Sequence, residues 1–184
     1  MSDSRLPTLA AIEAAVWSEL ARCTAERSHG WRTATLATVT PEGHPDARVV
    51  VLREVEPEQR LLRFFSDARS PKLAQLRARP EAAVVLWSRE LGWQLRLRAT
   101  LQAETDGLAV SSRWARLKMT PAAQDYLAPQ PPGSELARPT PERGTRGFFA
   151  VVTAQVSTID WLELHPAGHR RAVFGDGAPR WLQP

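Results

Sequence analysis

Five side chains between residues 48 and 72 have the types and spacing that suit binding of an anion. Arg48 and Arg53 stand at the two ends of a short apolar run, Ser66 follows the next apolar run, and Ser70 and Lys72 come shortly after it. Guanidinium, ammonium and hydroxyl groups all donate hydrogen bonds to phosphate oxygens, and the cations strengthen those bonds by their charge. A fold that brings these residues together would build a phosphate site.

A helix is predicted to begin inside this stretch. Ser70 is a favourable N-cap and Pro71 suits the first helical position, so we predict a helix from Pro71 to Arg79, before Pro80. The N–H groups at a helix N-terminus carry partial positive charge, to which Lys72 adds a full charge. An ordinary capped surface helix with a solvated lysine fits the same residues, and the local pattern leaves both interpretations open.

The overall composition indicates one globular domain spanning residues 1–184. Hydrophobic residues make up 43% of the chain and charged residues 24%, which is typical neither of a disordered protein nor of a membrane protein. No apolar run approaches the roughly 20 residues of a bilayer-spanning helix, and no signal-peptide pattern follows Met1. Cys23 is the only cysteine, so no intrachain disulfide is possible and a cytoplasmic location is predicted.

The chain is modestly basic, with 24 Lys and Arg residues against 20 Asp and Glu. The basic residues are scattered, and aromatic residues do not interleave with them on one face, which argues against nucleic-acid binding. The charge favours an anionic small molecule as the ligand. The four histidines and Cys23 show no metal-ligand spacing, so no metal site is predicted.

The order of the elements predicts a mainly β protein with flanking helices. An amphipathic helix is expected within residues 1–29, where Leu9, Ile12, Val16 and Leu20 recur at helical spacing. About seven strands with tight turns follow, without the strand–helix alternation of a doubly wound fold. We therefore predict an antiparallel sheet closing on itself, with strands near residues 33–40, 47–55, 61–66, 82–88, 93–102 and 148–164 and a C-terminal hairpin.

The strands differ in how they are expected to be covered. Residues 47–55 are apolar on both faces in the middle of the strand and residues 82–88 are apolar on both faces, which predicts burial on both sides. Residues 93–102 instead alternate strictly between apolar and polar, so one face is core and the other carries Gln94, Arg96 and Arg98. A solvated sheet face and a ligand-facing row both fit that polar pattern.

The third quarter of the chain combines a helix with a long irregular stretch. Residues 106–118 predict a helix. Its buried side is predicted to hold Leu108, Trp114, Ala115 and Leu117. From residue 129 to residue 147 regular patterning stops, and five prolines and three glycines predict a flexible loop. Loops of this length are often functional.

An ordered set of these residues resembles a known family. The set comprises Arg48-x-Val50-x-Leu52-Arg53, Phe65-Ser66, Ser70-x-Lys72, Leu76, Arg79-Pro80-x-Ala82, Trp87, Gln94, Trp161, His169-x-Arg171 and Leu182-x-Pro184. It resembles pyridoxine/pyridoxamine 5′-phosphate oxidase and its relatives, which are FMN-binding split-barrel proteins. The resemblance spans most of the chain from Arg32 onward and is poor between residues 105 and 147.

The resemblance implies an antiparallel split β-barrel that forms a homodimer with FMN at the subunit interface. Arg48 and Lys72 would hold the FMN phosphate, with Ser66 and Ser70 donating hydroxyl groups. The other implied cofactor contacts are Val49, Val50, Val51, Leu52, Arg53 and Phe65 near the flavin, Gln94 at its polar edge, and Trp161 and Arg171 completing the site.

The sequence also departs from the oxidase at its substrate residues. Arg53 and Pro71 stand where the oxidase has Lys and Arg, and Ala167 stands where it has a substrate-binding Arg. The substrate-phosphate residues that follow the Gln94 strand have no match, and Trp114 and Arg116 occupy that region. The chain is therefore more similar to the uncharacterised FMN-binding branch of the family than to the vitamin B6 enzyme.

These features together predict an FMN-dependent oxidoreductase that acts on an unidentified small molecule. Trp114, Arg116 and His169 are the candidates for its substrate side, and no dedicated catalytic acid or base is identified. Three alternatives stay open at this stage: pyridoxamine 5′-phosphate oxidase activity, a non-catalytic flavin or haem binder, and a deazaflavin bound in the same barrel.

Overall fold

The computed structural model describes residues 5–138, 143–144 and 147–184. Its α-helices are α1 Leu9–Ala25, α2 Pro71–Ala78 and α3 Leu108–Leu117. Its strands are β1 Thr33–Val39, β2 Pro45–Glu56, β3 Leu61–Asp67, β4 Glu81–Ser88, β5 Trp93–Glu104, β6 Phe149–Glu163, β7 Arg170–Phe174 and β8 Arg180–Leu182. Short 3-10 turns occupy Gly30–Arg32, Pro57–Gln59 and Pro121–Tyr126.

The strands form one antiparallel sheet that closes into a barrel. Their order is β3-β2-β1-β4-β5-β6-β7-β8, and an additional pairing of β3 with β6 closes the first six strands on themselves. Strand β6 pairs with β5 along its length, with β3 through its first half and with β7 through its second half. The predicted closed antiparallel sheet is confirmed.

Strand β5 shows how the side-chain pattern sets the barrel wall. Its apolar positions Trp93, Leu95, Leu97, Ala99 and Leu101 are buried, whereas Arg96, Arg98, Thr100 and Gln102 are exposed. Successive side chains of a strand point to opposite faces, so strict alternation places one set in the core and the other outside. The prediction for this strand is confirmed.

Helix α1 packs its apolar stripe on the barrel. The Thr8 side chain caps it by accepting a hydrogen bond from the Ala11 N–H at 3.2 Å. Ile12, Val16 and Leu20 are fully buried and join the core, as their helical spacing predicts. Among the described residues, no helix is both long enough and apolar enough to span a bilayer.

The buried face of α3 differs from the prediction. Leu108 is 84% exposed and Ala115 is also exposed, whereas Val110 and Leu117 are buried. The helix is turned so that Trp114 packs on Tyr126 and Phe149, in a small aromatic cluster separate from the barrel core. The helix pattern alone could not reveal this second cluster, because its other members lie far along the chain.

The outer faces of β2 and β4 are uncovered, which corrects the prediction that both strands are buried on two sides. Val49 is 69% exposed and Trp87 is 44% exposed, although Leu52, Val84 and Leu86 on the same two strands are buried. The barrel interior covers one face of each of these strands, and the described part of the chain leaves Val49 and Trp87 on the other face open to water while covering Val51 and Val85 in part.

The described residues of the predicted 129–147 loop form neither helix nor strand. Residues 139–142 and 145–146 lie outside the described part of the chain. The Leu127 carbonyl accepts a hydrogen bond from the Gly144 N–H at 2.7 Å, so the two ends of this stretch approach each other.

Candidate functional site

The predicted phosphate-binding residues meet at one open pocket, which Arg48, Ser70 and Lys72 line and which Ser66 reaches through its hydrogen bond with Lys72. Strand β2 supplies Arg48, the end of β3 supplies Ser66, and the first turn of α2 supplies Ser70 and Lys72. The pocket has a volume of about 220 Å³. Its lining residues are Asp46, Arg48, Ser70, Pro71, Lys72, Pro132 and Gly133. We call this cavity the phosphate pocket.

The Lys72 ammonium is held by the two predicted hydroxyl groups. Its Nζ donates to Ser70 Oγ at 2.7 Å and to Ser66 Oγ at 3.1 Å, and both serines are buried. The Ser70 hydroxyl therefore orients Lys72 and makes no capping bond to α2. Burial, followed by the positive charge of Arg48, lowers the pKa of Lys72 below its ordinary value. An anion in the pocket would relieve the repulsion between the two cations.

The Arg48 guanidinium is fixed by a network that the sequence did not indicate. Nη1 donates to Thr38 Oγ1 at 2.6 Å, and Nη2 donates to Gln75 Oε1 at 3.1 Å and to the Asp46 carboxylate. The Gln75 side chain also donates to Asp46 Oδ2 at 2.8 Å. That hydrogen bond, together with the charge of Arg48, keeps the pKa of Asp46 below its ordinary value. The pocket therefore contains two cations and one carboxylate.

The chemistry of these donors fits a phosphate monoester. One guanidinium, one ammonium and the Ser70 hydroxyl line the cavity beside the N-terminus of α2, and the Ser66 hydroxyl accepts a hydrogen bond from the ammonium. These groups are the usual partners of a dianionic phosphate, and the helix end favours negative charge. Asp46 opposes the anion, and its pairing with Arg48 and Gln75 partly offsets that effect.

Arg53 and Phe65, two residues predicted to lie near the flavin ring and called ring-side residues below, lie together at a bulge in β2. The register of β2 with β3 shifts between Leu52 and Glu54, which places Arg53 in the irregularity. The Arg53 guanidinium lies 5.8 Å from the centre of the Phe65 ring. Its Nε is buried without a hydrogen-bond partner among the described residues. In the preceding run, Leu52 is fully buried and Val49 is mostly exposed, while Val50 and Val51 are half-buried.

Gln94 and Trp161 occupy different environments. Gln94 is half-buried on the outer wall of the barrel, paired with Trp87 across β4 and β5. Trp161 is fully buried in the core, where its ring packs edge-on against Trp93 with the ring centres 5.4 Å apart. Trp161 therefore packs against the inner side of the barrel strands, and direct contact between its side chain and a ligand would require the core to open. Both cofactor assignments stay predictions.

Arg171 is held in an ion-pair cluster across three strands. Its Nε and Nη2 donate to the two Asp160 oxygens at 2.9 and 2.7 Å, and Arg96 also donates to Asp160. Asp160 lies on β6, Arg171 on β7 and Arg96 on β5. Asp160 and Arg96, but not Arg171, line a surface cavity of about 350 Å³ together with Arg98 and Arg180. The predicted cofactor role of Arg171 is untested.

Replacing Asp160 by asparagine is expected to lower the free energy of unfolding at neutral pH by about 1–3 kcal/mol. Burial raises the pKa of Asp160, but the hydrogen bonds from Arg171 and Arg96 outweigh burial and hold the pKa below its ordinary value. Because the folded pKa is the lower one, the carboxylate stabilises the fold above about pH 4, and this contribution is lost as the pH falls through the folded pKa. Urea unfolding of both proteins over a series of pH values from neutral into the acid range measures the effect. A difference that does not shrink as the pH falls would contradict it.

The three substrate-side candidates do not share one cavity. Arg116 lines a pocket of about 220 Å³ with Phe65 and Glu54. Trp114 belongs to the aromatic cluster with Tyr126 and Phe149. His169 is exposed in the turn between β6 and β7, where its Nδ1 accepts a hydrogen bond from the His165 N–H at 3.1 Å. Of the three, Arg116 shares a cavity with the ring-side residue Phe65.

A comparison with protein families shows which family this chain belongs to. A family model described as pyridoxamine 5′-phosphate oxidase, FMN-binding domain matches residues 14–105, half of the chain. The chain belongs to this family. The matched stretch includes Arg48, Ser66, Ser70, Lys72 and Gln94.

Curated members of the family are similar over shorter stretches. The pyridoxine/pyridoxamine 5′-phosphate oxidase of Microcystis aeruginosa is 43% identical over 68 residues, which cover 37% of this chain and 31% of that protein. The enzyme of the same name from Thermosynechococcus vestitus is 42% identical over 88 residues, covering 44% of this chain and 41% of that protein. The matches thus span less than half the length of these relatives.

Solved structures extend the likeness of fold to nearly the whole chain. A pyridoxamine 5′-phosphate oxidase-related, FMN-binding protein from Nostoc punctiforme superposes with a TM-score of 0.76 at 23% identity, covering 98% of this chain and 99% of that one. PhzG from Burkholderia lata, solved with tetrahydrophenazine-1-carboxylic acid, gives a TM-score of 0.76 at 18% identity, covering 99% and 98%. At these identities the likeness concerns the fold alone.

Proposed function

We propose that this protein binds FMN, with the FMN phosphate in the phosphate pocket. The observation that carries the proposal is the convergence of Arg48 and Lys72 on one cavity, in a chain of an FMN-binding family. Arg48 is oriented by Thr38 and Gln75, and Lys72 by Ser66 and Ser70, so both cations are placed before any ligand arrives. Preorganised charges of this kind lower the ordering cost of binding.

We further propose that the protein is a cytoplasmic flavin-dependent oxidoreductase acting on an unidentified small molecule. When bound, FMN would supply the hydride-transfer chemistry, and the protein would supply binding, orientation and electrostatics. Arg53 and Phe65 lie beside each other where the bulge in β2 meets β3 and suit the role of ring-side contacts. Arg116 opens into the adjacent cavity and suits a substrate contact.

A second copy of the chain is proposed to cover the exposed outer wall. Val49, Thr35 and Val85 lie side by side across β2, β1 and β4, and Trp87 follows two residues along β4 on the same face. Val49 and Trp87 leave much apolar surface in contact with water. Gln94 borders this wall beside Trp87, so a flavin between two subunits would meet its side-chain amide. Association of two such walls would bury the exposed side chains of Val49 and Trp87.

Purification of the full chain tests the proposal directly. We expect a yellow protein, or a colourless one that takes up added FMN with one flavin per chain and quenches its fluorescence. Sedimentation should give twice the chain mass. A chain that neither carries FMN nor binds it when titrated would overturn the assignment, and a monomer carrying FMN would overturn the dimer alone.

Replacing Asp46 by asparagine is expected to tighten FMN binding roughly two- to fivefold, the range of a surface charge pair. Among the described residues, Asp46 is the one carboxylate that lines the phosphate pocket; the substitution removes its charge and keeps a side-chain oxygen that can accept from Arg48 and Gln75. Fluorescence titration at low and high salt measures the effect, which salt should reduce. Weaker FMN binding by the variant would show that Asp46 acts mainly by holding Arg48 in place.

Pyridoxamine 5′-phosphate oxidase activity is the second candidate. The two curated relatives at 42% and 43% identity carry that name, and their matches favour a shared cofactor site. Ala167 and Pro71 lack the positive charge that resemblance to the oxidase implies at those positions, which weakens the case for its phosphorylated substrate. An assay for pyridoxal 5′-phosphate formation by the FMN-loaded protein separates the two candidates.

A further inference from the structure

The turn between β3 and α2 carries an arginine that reaches a distant part of the chain. Arg69 lies between the two serines that hold Lys72. Its backbone N–H and its Nε donate to Asp67 Oδ1 at 2.8 and 3.0 Å, and its Nη2 donates to Asp67 Oδ2 at 2.7 Å. The Arg69 guanidinium also lies 3.4 Å from the centre of the Phe148 ring. The Asp67 side chain is only 4% exposed, so its ion pair with Arg69 fixes the orientation of the Arg69 guanidinium.

The same guanidinium binds the irregular segment that forms one wall of the phosphate pocket. Its Nη2 donates to the Ala128 carbonyl at 2.8 Å, and its Nη1 donates to the Pro129 carbonyl at 3.1 Å. A few residues later, Pro132 and Gly133 line the phosphate pocket together with Arg48 and Lys72. We call residues 128–133 the wall segment. It contains neither helix nor strand, so side-chain contacts have to hold it in place.

We propose that Arg69 is a positioning residue for cofactor binding, which holds the wall segment against the phosphate pocket and slows release of the phosphorylated flavin. The inference rests on the proposed FMN function. An arginine fork can satisfy a carboxylate and two carbonyl groups at once, whereas a lysine ammonium has one nitrogen and cannot span the three. The Arg69 side chain thus joins the turn that follows Ser66 and contains Ser70 to the wall segment.

Arg69→Lys is the variant that tests the positioning role. It keeps a positive charge beside Asp67 and removes the bridge to the wall segment. We expect FMN to dissociate about five- to tenfold faster, the scale of one or two lost hydrogen bonds. Riboflavin, which lacks the phosphate, should dissociate at the wild-type rate. Stopped-flow flavin fluorescence measures both rates. Hydrogen exchange of the Ala128, Gln130 and Gly133 amides in the cofactor-free variant should rise; the other residues of the wall segment are prolines, which have no N–H.

Two further variants complete the test. Arg77→Lys makes the same chemical change at an exposed position of α2 and should leave both rates unchanged. Pro132→Gly loosens the wall segment without touching the Arg69–Asp67 pair and should speed FMN release in the same way. If both changes act through the wall segment, FMN should dissociate from the double variant more slowly than the product of the two single accelerations predicts.

Several outcomes would overturn the proposal. Wild-type FMN release from a folded Arg69→Lys protein would do so, and so would equal acceleration of FMN and riboflavin, which a general loosening of the fold produces. If Arg69→Lys does not fold, wild-type FMN release from Pro132→Gly overturns it instead. A wild-type protein that binds no FMN is a separate result, since it contradicts the proposed function before Arg69 is considered.

Discussion

Replacing Arg48 or Lys72 by alanine is expected to weaken FMN binding by about 1.5–3 kcal/mol each, which is roughly 10- to 150-fold in Kd. Each residue supplies one charge-assisted donor to the proposed phosphate position, and each is held there by neighbouring side chains. The loss should be larger for Arg48, because its removal leaves the Asp46 carboxylate without a cationic partner beside the incoming phosphate, with the Gln75 hydrogen bond alone remaining. Titration of flavin fluorescence gives both values.

The controls for this prediction separate the phosphate contact from general damage. Riboflavin affinity should change little in both variants, because riboflavin has no phosphate to lose. Arg77→Ala, an exposed cation on the same helix as Lys72, should bind FMN as the wild type does. Adding Asp46→Asn to Arg48→Ala should recover part of the loss. If both Arg48→Ala and Lys72→Ala bind FMN normally, the pocket is not the phosphate site, even though the fold is that of the family.

Replacing Gly175 by alanine is expected to lower the free energy of unfolding by about 3–5 kcal/mol, from left-handed backbone strain combined with overpacking. Gly175 ends β7 with a φ of +82°, which L side chains rarely adopt. A methyl group there would overlap the Ser157 carbonyl oxygen and lie 3.2 Å from Arg60 Nη2. Because Ser157 is part of β6, the backbone of a central strand would have to move. Urea unfolding measures the change.

Gly177 provides the matched control in the same hairpin. Its φ is +105°, and a methyl group there would have no atom within 4 Å. Gly177→Ala therefore pays only the backbone strain, about 1–2 kcal/mol. The difference between the two variants isolates the contact with Ser157. Equal losses would mean that the hairpin relaxes and that β6 is not compressed by the added methyl group.

The sequence predicted the barrel well where a strand had one buried face. Strict alternation in β5 identified its core and outer faces residue by residue. It failed where both faces are apolar, since Val49 and Trp87 are exposed despite lying in apolar runs. An apolar outer face is a property of how chains associate, which periodicity within one strand cannot show. The prediction that Leu108 is buried was wrong for a related reason, because α3 packs on a separate aromatic cluster.

The sequence predicted the cations of the candidate site and the serines near them, but not the hydrogen-bond partners that orient Arg48. Arg48, Ser66, Ser70 and Lys72 stood out because they lie close together in the sequence and have phosphate-binding side chains. Thr38 and Gln75 were missed because they meet Arg48 only through strand pairing and the packing of α2, whereas Asp46 stands two residues before Arg48 on the same face of β2 and could have been found from strand alternation. Arg69 was missed because its wall partners are backbone carbonyls, whose position no residue type indicates.

Strand β6 has a consequence for how the chain folds during synthesis. Strands β3 and β5 both pair with β6, which the ribosome makes only after β1 to β5 and α3. Until then both strands expose an open edge, and two open edges on one nascent chain invite pairing with other chains. Closure also depends on contacts far apart in sequence, such as Phe65 with Val151, which slows folding. We expect nascent chains that stop before residue 149 to need chaperones and to aggregate without them.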